Sequence, residues 1–252
     1  MRLTSSSYWQ NIWNETGLSL SINSDSSFDR CLGHELLACI GTSYGQLLEV
    51  GCAPGRWMIF LEKNSNVRTS GIEYSDEGVS LVLKNFEMNE IEAPEILNQD
   101  FLNITGSPKY DFVISLGFIE HFSNPELVFE KHLEWLKPNG KLIVGIPNFS
   151  GLNHLIQRWM DSSILTTHNL KIMNHQWFSD RPSYHSVSVD QIKYIGSFEP
   201  ALFSKSTKCS SYKKILQKLL IKLLYEARKP KLIDHINSPI FSSYLLASYT
   251  KV

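Results

Sequence analysis

Short apolar strands that alternate with amphipathic helices constrain the fold of this chain more than any other feature. Apolar runs of strand length occur at 46–52, 67–75, 110–116 and 141–149. Strands that are apolar on both faces and separated by helices are typical of a parallel sheet covered by helices on both sides. The sequence therefore predicts an α/β fold built from βα units. Predicted helices lie at 28–41, 56–64, 77–90 and 124–137, and one more strand lies at 94–101.

This alternation is interrupted after Phe149. Residues 150–183 are rich in Asn, His, Trp and Met and show no strand pattern. A long insertion after the carboxyl end of a strand lies over the ligand crevice of an α/β sheet, so we interpret this one as a lid. Beyond it the sequence predicts a helix over 189–198, a strand over 200–207, a helix over 212–229 and a closing strand over 243–252.

A chain of 252 residues is long enough for one large domain or for a core domain with an added lid. The pattern divides it into four segments. These are an N-terminal helical arm over 1–44, a ligand-binding core over 45–149, a lid over 150–188 and a C-terminal completion of the sheet over 189–252.

Composition excludes several classes of function. The net charge of −1 argues against nucleic acid as the main partner, because such domains carry a basic excess. The four cysteines are scattered and form no CxxC pair, which favours free thiols in a reducing compartment; they are Cys31, Cys39, Cys52 and Cys209. The start of the chain is polar, and no run approaches the roughly 18 apolar residues of a membrane span. We therefore expect a soluble, cytoplasmic protein.

The turn in LLEVGCAPGRW, residues 47–57, is the strongest single indication of a ligand site. A strand that ends in glycine and leads into a helix presents free N–H groups to a ligand, and glycine lets the backbone approach closely. The spacing here is G-x-A-x-G over Gly51, Ala53 and Gly55. Because the third glycine of a dinucleotide fingerprint is missing, a nicotinamide-dependent oxidoreductase is disfavoured.

Three other strand ends carry residues suited to the same ligand. Glu73 ends the second strand, roughly twenty residues beyond the turn, where an acid accepts hydrogen bonds from ribose hydroxyls. Asp100 and Phe101 end the third strand and can hold and stack a purine. The fourth strand leads into SLGFIEHF, where Gly117 can approach the same ligand. The carboxyl edge of the sheet is therefore the predicted binding site.

Together these segments resemble the class I S-adenosylmethionine-dependent methyltransferases, particularly the small-molecule branch that includes ubiquinone-type O-methyltransferases. The resemblance is carried by LLEVGCAPG, GIEYS, NQDF, YDFVISLGFIEHF and LKPNGKLIVGIPN, in order over about residues 45–150. It implies a Rossmann-like, doubly wound, seven-stranded sheet whose last strand is antiparallel. It also implies S-adenosylmethionine as methyl donor and S-adenosylhomocysteine as product. Many family members have glycine where this chain has Ala53, which is a tolerable variant.

The resemblance also implies roles for individual residues. The methionine part of the cofactor is expected beside Glu49, Gly51, Cys52, Ala53 and Gly55. The ribose is expected at Glu73, with Tyr74 and Ser75 beside it, and the adenine at Asp100 and Phe101. Leu116 and Gly117 are expected to line the floor near the sulfonium.

Two histidines are candidate general bases for the methyl acceptor. His121 follows the floor glycine by one helical turn, and the alternative is that it packs or caps. His185 precedes the helix predicted after the lid, and the alternative is a loop histidine bonded to backbone. We expect no metal, because Glu120 is the lone carboxylate after the fourth strand. The spacing of His154, His168 and His175 does not resemble a metal site either, which favours surface or lid positions.

Aromatic and polar residues outside the core are candidates for the acceptor site: Trp9, Asn148, Trp159, Trp177 and Tyr184. Trp9 and Trp13 share one helix face, so they either pin the arm to the core or cover the ligand. The helix predicted at 212–229 has an apolar stripe and a lysine stripe. Its apolar side is expected to pack on the core, and membrane contact is the alternative.

The function predicted from the sequence is transfer of a methyl group from S-adenosylmethionine to an O or N atom of a small-molecule metabolite by in-line displacement. The alternatives are a catalytically inactive S-adenosylmethionine-binding partner subunit, or a methyltransferase acting on a carrier-bound, glycan or lipid-like acceptor. A nucleic-acid amino-methyltransferase is disfavoured, because SLGF stands where such enzymes carry [DN]PP[YFW].

Overall fold

The computed structural model describes residues 1–16, 21–23, 26–204, 210–228 and 234–252. The strands in this part of the chain are β1 (Gly45–Val50), β2 (Val67–Glu73), β3 (Glu95–Asn98), β4 (Tyr110–Leu116), β5 (Leu136–Pro147), β6 (Val187–Ile195) and β7 (Tyr244–Lys251). The helices are α1 (Ser6–Glu15), α2 (Ser27–Ile40), α3 (Arg56–Asn64), α4 (Asp76–Met88), α5 (Pro125–Glu134), α6 (Gly151–Asp161), α7 (Ser163–Thr166), α8 (His175–Ser179) and α9 (Ser211–Arg228).

The seven strands form one sheet in the order β3-β2-β1-β4-β5-β7-β6. β1 to β5 are parallel, and β7 runs antiparallel to both of its neighbours. This confirms the predicted doubly wound sheet with an antiparallel last strand. The strand order reverses between β1 and β4, so their carboxyl ends open a crevice of the kind in which open α/β sheets bind ligands.

Helices cover both faces of the sheet. Consecutive strand residues point to opposite sides, so each central strand packs against helices on both faces. Leu48 packs in a cluster with Val128 and Phe129 of α5 on one face. Its neighbour Leu47 packs with Leu36 of α2 and Leu61 of α3 on the other. The unbroken apolar runs of the sequence are therefore explained by burial on both faces.

The segment predicted as a helix over 189–198 is a strand instead. β6 pairs with β7 from Val187 to Ile195, and the register shifts by one residue between Val189 and Gln191. A bulge of this kind breaks the period-2 alternation of a strand. The remaining apolar residues then fall at spacings that imitate a helix, which is why the prediction was wrong.

The strand predicted over 200–207 is also wrong where the structure describes it. Pro200–Leu202 form a turn of 3₁₀ helix, which begins with the Glu199 side chain accepting a hydrogen bond from the Ala201 N–H at 3.0 Å. Proline fixes φ near the helical value and removes a donor, so it favours the first turn of a helix over a ladder. Residues 205–207 lie outside the described residues, as does Cys209.

The insertion after β5 is helical over much of its length. It contains α6, α7 and α8, with 3₁₀ turns at Leu170–Ile172 and Arg181–Ser183. Within the described ranges, no helix is both long enough and apolar enough to cross a bilayer.

Candidate active site

The turn after β1 approaches the crevice as its glycines predict. Gly51 has φ +69° and donates its N–H to the Ile72 carbonyl at 2.9 Å. Gly55, with φ +84°, begins α3. A Cβ atom at Gly51 would lie 2.6 Å from a ring carbon of Phe118. Both the backbone conformation and the space at this position therefore require glycine.

Glu73, at the end of β2, is buried and held in one orientation. Its Oε1 accepts hydrogen bonds from the Ser75 N–H at 2.9 Å and the Ser75 hydroxyl at 2.8 Å. The Ser75 hydroxyl also accepts a bond from the Gly78 N–H, which caps α4. Burial raises the pKa of Glu73. Ser75 thus acts behind Glu73 and contributes no surface to the cavity.

The two residues predicted to hold the adenine, Asp100 and Phe101, lie in different surroundings at the third strand end. Phe101 is buried and packs edge-on against Phe118, with ring centroids 5.7 Å apart. Asp100 instead faces Arg2, whose guanidinium it binds, and it accepts a bond from the Leu102 N–H at 2.9 Å. Arg2 also lies over the Tyr74 ring, 4.4 Å from its centroid. Arg2 therefore fastens the start of the chain to the two strand ends beside the cavity.

Two cavities open at these strand ends. The first has a volume of about 180 Å³ and is lined by Arg2, Thr4, Trp9, Trp13, Gly51, Ala53, Ile72, Glu73, Tyr74, Gln99, Phe101, Leu116, Gly117, Phe118, His121 and Phe122. The second has about 540 Å³, and its lining includes Phe28, Asp29, Glu49, Gly51, Cys52, Ala53, Arg56, Leu116, Pro147, Glu199, Leu202 and Tyr244. Gly51, Ala53 and Leu116 line both, so the cavities are adjacent. Together they match the size of ordinary small-molecule sites, about 300–1,000 Å³.

The second cavity has an acidic lining. Asp29, Glu49 and Glu199 line it, and Arg56, which binds Asp29, is the one basic residue among the lining side chains described. Glu49 is buried, and its Oε2 has no hydrogen-bond partner among the described residues. Burial raises the pKa of Glu49 to about 8, and the nearby Arg56 partly offsets this. A cationic ligand group would give this carboxylate the partner that it lacks.

Two aromatic rings also line this cavity. The rings of Phe28 and Tyr244 meet edge to face, with centroids 5.3 Å apart. Burial raises the pKa of the Tyr244 hydroxyl well above its ordinary value, and the nearby Glu120 and Glu49 add to this effect. Both rings are therefore neutral at physiological pH.

His121 lies at the wall of the first cavity and is almost fully buried. Its Nδ1 contacts the Thr167 carbonyl at 2.7 Å, and its ring packs edge-on against Trp9 at 5.1 Å. Burial lowers the pKa of His121 to about 4, and it raises the pKa of the adjacent Glu120 to about 8. The two side chains are therefore neutral near pH 7 and do not form an ion pair, although their nearest atoms are 3.8 Å apart.

His185 lies outside both cavities. It packs on Phe129 of α5 with ring centroids 5.0 Å apart, and its Nε2 is 3.8 Å from Glu126. The two predicted catalytic histidines are therefore not brought together.

Of the five residues expected at the acceptor site, Trp9 lines the first cavity and the other four lie elsewhere. The Trp177 indole donates to Glu126 at 3.0 Å, and Trp159 is an exposed neighbour of Lys213. Asn148 is fully buried and donates to the Ser242 carbonyl at 2.8 Å, while Tyr184 is exposed. None of these four lines either cavity.

Other lining residues were missed by the sequence analysis. Gln99 precedes the predicted Asp100, and Arg56 follows the glycine turn directly, so proximity to the motifs could have found both. Arg2, Asp29 and Glu199 carry no motif. They reach the site only through the packing of distant segments. Three residues predicted at the site line neither cavity but contact or precede elements that do; they are Gly55, Ser75 and Asp100.

Comparisons with known proteins identify the family and support the fold. The family described as "Methyltransferase domain" matches residues 30–184. A probable (S)-tetrahydroprotoberberine N-methyltransferase of Papaver bracteatum is 24% identical over 112 residues, which are 44% of this chain and 31% of the relative. A phosphoethanolamine N-methyltransferase of Triticum aestivum is 24% identical over 140 residues, 51% of this chain and 27% of the relative. The chain thus spans about a third or less of the length of these curated relatives.

Among solved structures, coclaurine N-methyltransferase bound to N-methylheliamine and S-adenosylhomocysteine has the same fold. The TM-score is 0.55 at 14% identity, and the match covers 87% of this chain and 72% of that one. The fold is that of the class I S-adenosylmethionine-dependent methyltransferases. The chain belongs to the methyltransferase domain family, whose match covers more than half of its length.

Proposed function

We propose that this chain transfers the methyl group of S-adenosylmethionine to the nitrogen atom of a small-molecule amine. The observation that carries the proposal is the meeting of the two cavities at Gly51, Ala53 and Leu116. A cofactor whose ribose binds Glu73 and whose adenine packs on Phe101 would place its adenosine in the first cavity and its methionine part beside Glu49, in the adjoining part of the second cavity. Its sulfonium would then lie at this junction, facing the second cavity.

The part of the second cavity beyond Glu49 is the proposed acceptor site. This cavity lies between α2 and the ends of β4 and β5, and its volume is larger than that of the first cavity. Its acidic lining favours a ligand with an ammonium group, because carboxylates attract a cation and can accept its proton. The Phe28 and Tyr244 rings offer an apolar surface for the rest of the molecule. That two relatives are N-methyltransferases of small molecules adds support.

The reaction needs little more than alignment. The amine nitrogen, once deprotonated, attacks the methyl carbon as the bond from carbon to sulfur breaks, which yields the methylated amine and S-adenosylhomocysteine. Positioning of the two reactants can supply an effective molarity of roughly 10⁵–10⁸ M. Glu199 is the proposed proton acceptor, because its largely buried carboxyl group lines the cavity and burial raises its pKa. His121 and His185 are not given catalytic roles here, because neither lines the second cavity.

A labelled-methyl assay against matched panels of amines, phenols and carboxylic acids tests the proposal. We expect label in the amines. The Glu199→Gln variant should lower kcat/KM for the best amine by roughly 10- to 100-fold, the loss typical of a hydrogen bond to a charged group. The surface variant Glu92→Gln is the control.

Other outcomes point to the alternatives. Label that enters only phenols would overturn the choice of nitrogen while leaving methyl transfer intact. Tight binding of S-adenosylhomocysteine without transfer to any acceptor would favour an inactive binding subunit.

A further inference from the structure

Glu120, His121 and His168 form a cluster that the proposed transfer reaction does not use. One ligand atom from each of these side chains lies within 4.8 Å of the others. Glu120 and His121 belong to the 3₁₀ turn that follows β4. His168 lies in the insertion that follows β5, two residues beyond the end of α7. The fold thus joins residues that the sequence keeps more than forty positions apart.

Hydrogen bonding fixes the tautomer of both histidines. The Nδ1 of His121 is 2.7 Å from the Thr167 carbonyl, and the Nδ1 of His168 is 2.7 Å from the Ile164 carbonyl. A carbonyl oxygen only accepts, so each Nδ1 must carry the proton. Each Nε2 therefore carries a lone pair. Backbone carbonyls that orient imidazoles in this way are the usual outer partners of histidine metal ligands.

Glu120 supplies a second, independent observation. Its side chain is fully buried, and neither carboxylate oxygen has a hydrogen-bond partner among the described residues. The His121 Nε2 is 3.8 Å from Oε1 and, without a proton, cannot donate to it. A buried carboxyl group without hydrogen-bond partners is costly, and a bound cation would compensate its ionised form.

The segments that carry the three side chains are fixed to each other. The Asn169 N–H donates to the Glu120 carbonyl at 2.6 Å, and the Asn169 side chain donates to the Phe122 carbonyl at 3.1 Å. The Leu3 N–H donates to the His121 carbonyl at 2.7 Å. The backbone around the cluster is therefore held by hydrogen bonds that use none of the three proposed ligand atoms.

We propose that Glu120, His121 and His168 bind one divalent first-row transition-metal ion, through a carboxylate oxygen and two Nε2 atoms. Two imidazoles and one carboxylate suit ions such as Zn²⁺, Fe²⁺ or Co²⁺, whereas Ca²⁺ and Mg²⁺ prefer oxygen alone. Bond lengths of about 2.0–2.2 Å place ligand atoms roughly 3–3.5 Å apart. Binding would therefore draw together ligand atoms that now lie within 4.8 Å of one another. The ion would connect the insertion to the turn after β4, at the wall of the first cavity.

Cobalt titration of the metal-free 252-residue chain tests the proposal. We expect one Co²⁺ per chain by elemental analysis, visible d–d absorption from a site with nitrogen ligands, and competition by Zn²⁺. The His168→Ala variant should lose at least about 100-fold in Co²⁺ affinity, because removal of a ligand exceeds the 10- to 100-fold cost of losing an outer partner. Glu120→Gln keeps the side-chain shape and should also weaken binding. His175→Ala removes an exposed histidine and should leave Co²⁺ affinity unchanged.

Equal Co²⁺ affinity in the native chain, His168→Ala and Glu120→Gln would overturn the proposal, and so would absence of d–d absorption in a folded native chain. The inference does not depend on the proposed function. Calorimetry with S-adenosylhomocysteine on the same samples separates failure of the metal site from failure of the proposed function. His168 lines neither cavity, so the His168→Ala variant should bind S-adenosylhomocysteine within a few-fold of the native affinity. A native chain that binds Co²⁺ but no S-adenosylhomocysteine would contradict the proposed function alone.

Discussion

At the scale of single residues, Glu73 is the clearest test of cofactor binding. Ser75 holds its carboxylate toward the first cavity. Glu73→Ala should therefore weaken S-adenosylhomocysteine binding by about 1.5–3 kcal/mol, roughly ten- to over a hundredfold. Calorimetry measures this directly. Glu95→Ala, which removes an exposed carboxylate paired with Lys109, is the matched control. Native affinity in folded Glu73→Ala would show that the ribose binds elsewhere.

Glu49 predicts a pH dependence of cofactor binding. Burial raises its pKa to about 8, so the ligand-free protein holds this carboxyl protonated at neutral pH. The folded protein holds this proton more tightly than the unfolded chain, whose Glu pKa is about 4.5. The resulting contribution to the free energy of unfolding is fully present below about pH 4.5 and is lost as the pH rises through about 8.

An ammonium group of the cofactor beside Glu49 would favour the charged form and release the proton. We therefore expect S-adenosylhomocysteine affinity to increase between about pH 6 and 8, by at most tenfold per pH unit. Glu49→Gln cannot release a proton, so its affinity should be flatter over the same range. Parallel pH profiles for the two proteins would mean that Glu49 does not contact the ammonium.

At the scale of elements, the turn between β1 and α3 decides whether the cofactor fits. A side chain at Gly51 would strain a backbone with φ +69° and push against Phe118, which lines the first cavity. Gly51→Val should lower S-adenosylhomocysteine affinity by more than about 100-fold, a loss of at least about 2.7 kcal/mol in binding free energy, because the new side chain and the displaced Phe118 ring would occupy the first cavity. Gly41→Val is a close control, because Gly41 has φ +67° and no heavy atom within 4 Å of an added Cβ. Equal loss of affinity in both variants would trace the effect to strain alone.

At the scale of the whole molecule, ligand binding should stabilise the fold as one unit. The site draws on β1, β2 and β4 and on the segment before α1. Ligand at about 100 times its Kd adds about 2.7 kcal/mol to the free energy of unfolding. At about 2–4 °C per kcal/mol for a chain of this size, we expect S-adenosylhomocysteine to raise Tm by roughly 5–10 °C. Calorimetric scans measure this shift. The absence of a shift in the native chain, at a concentration that saturates binding, would contradict a site shared by these elements.

The sequence by itself determined the order of the strands and helices in the core and the residues of the glycine turn. Both depend on local patterns. Apolar runs mark strands buried on two faces, and a turn with positive φ requires glycine. Glu73 and Phe101 were predictable for the same reason, because strand ends in a parallel sheet meet at one edge.

Only the tertiary structure decided which side chains meet across distant segments. β6 became a strand because β7 offered backbone partners, and its bulge concealed the pattern that would have shown this. Arg2 reached Asp100, and Glu199 reached the second cavity, through packing that no local motif encodes. His168 stands beside Glu120 because the insertion folds back onto the turn after β4. Such contacts depend on the summed packing of many residues, whereas a motif reports only on its own neighbours along the chain.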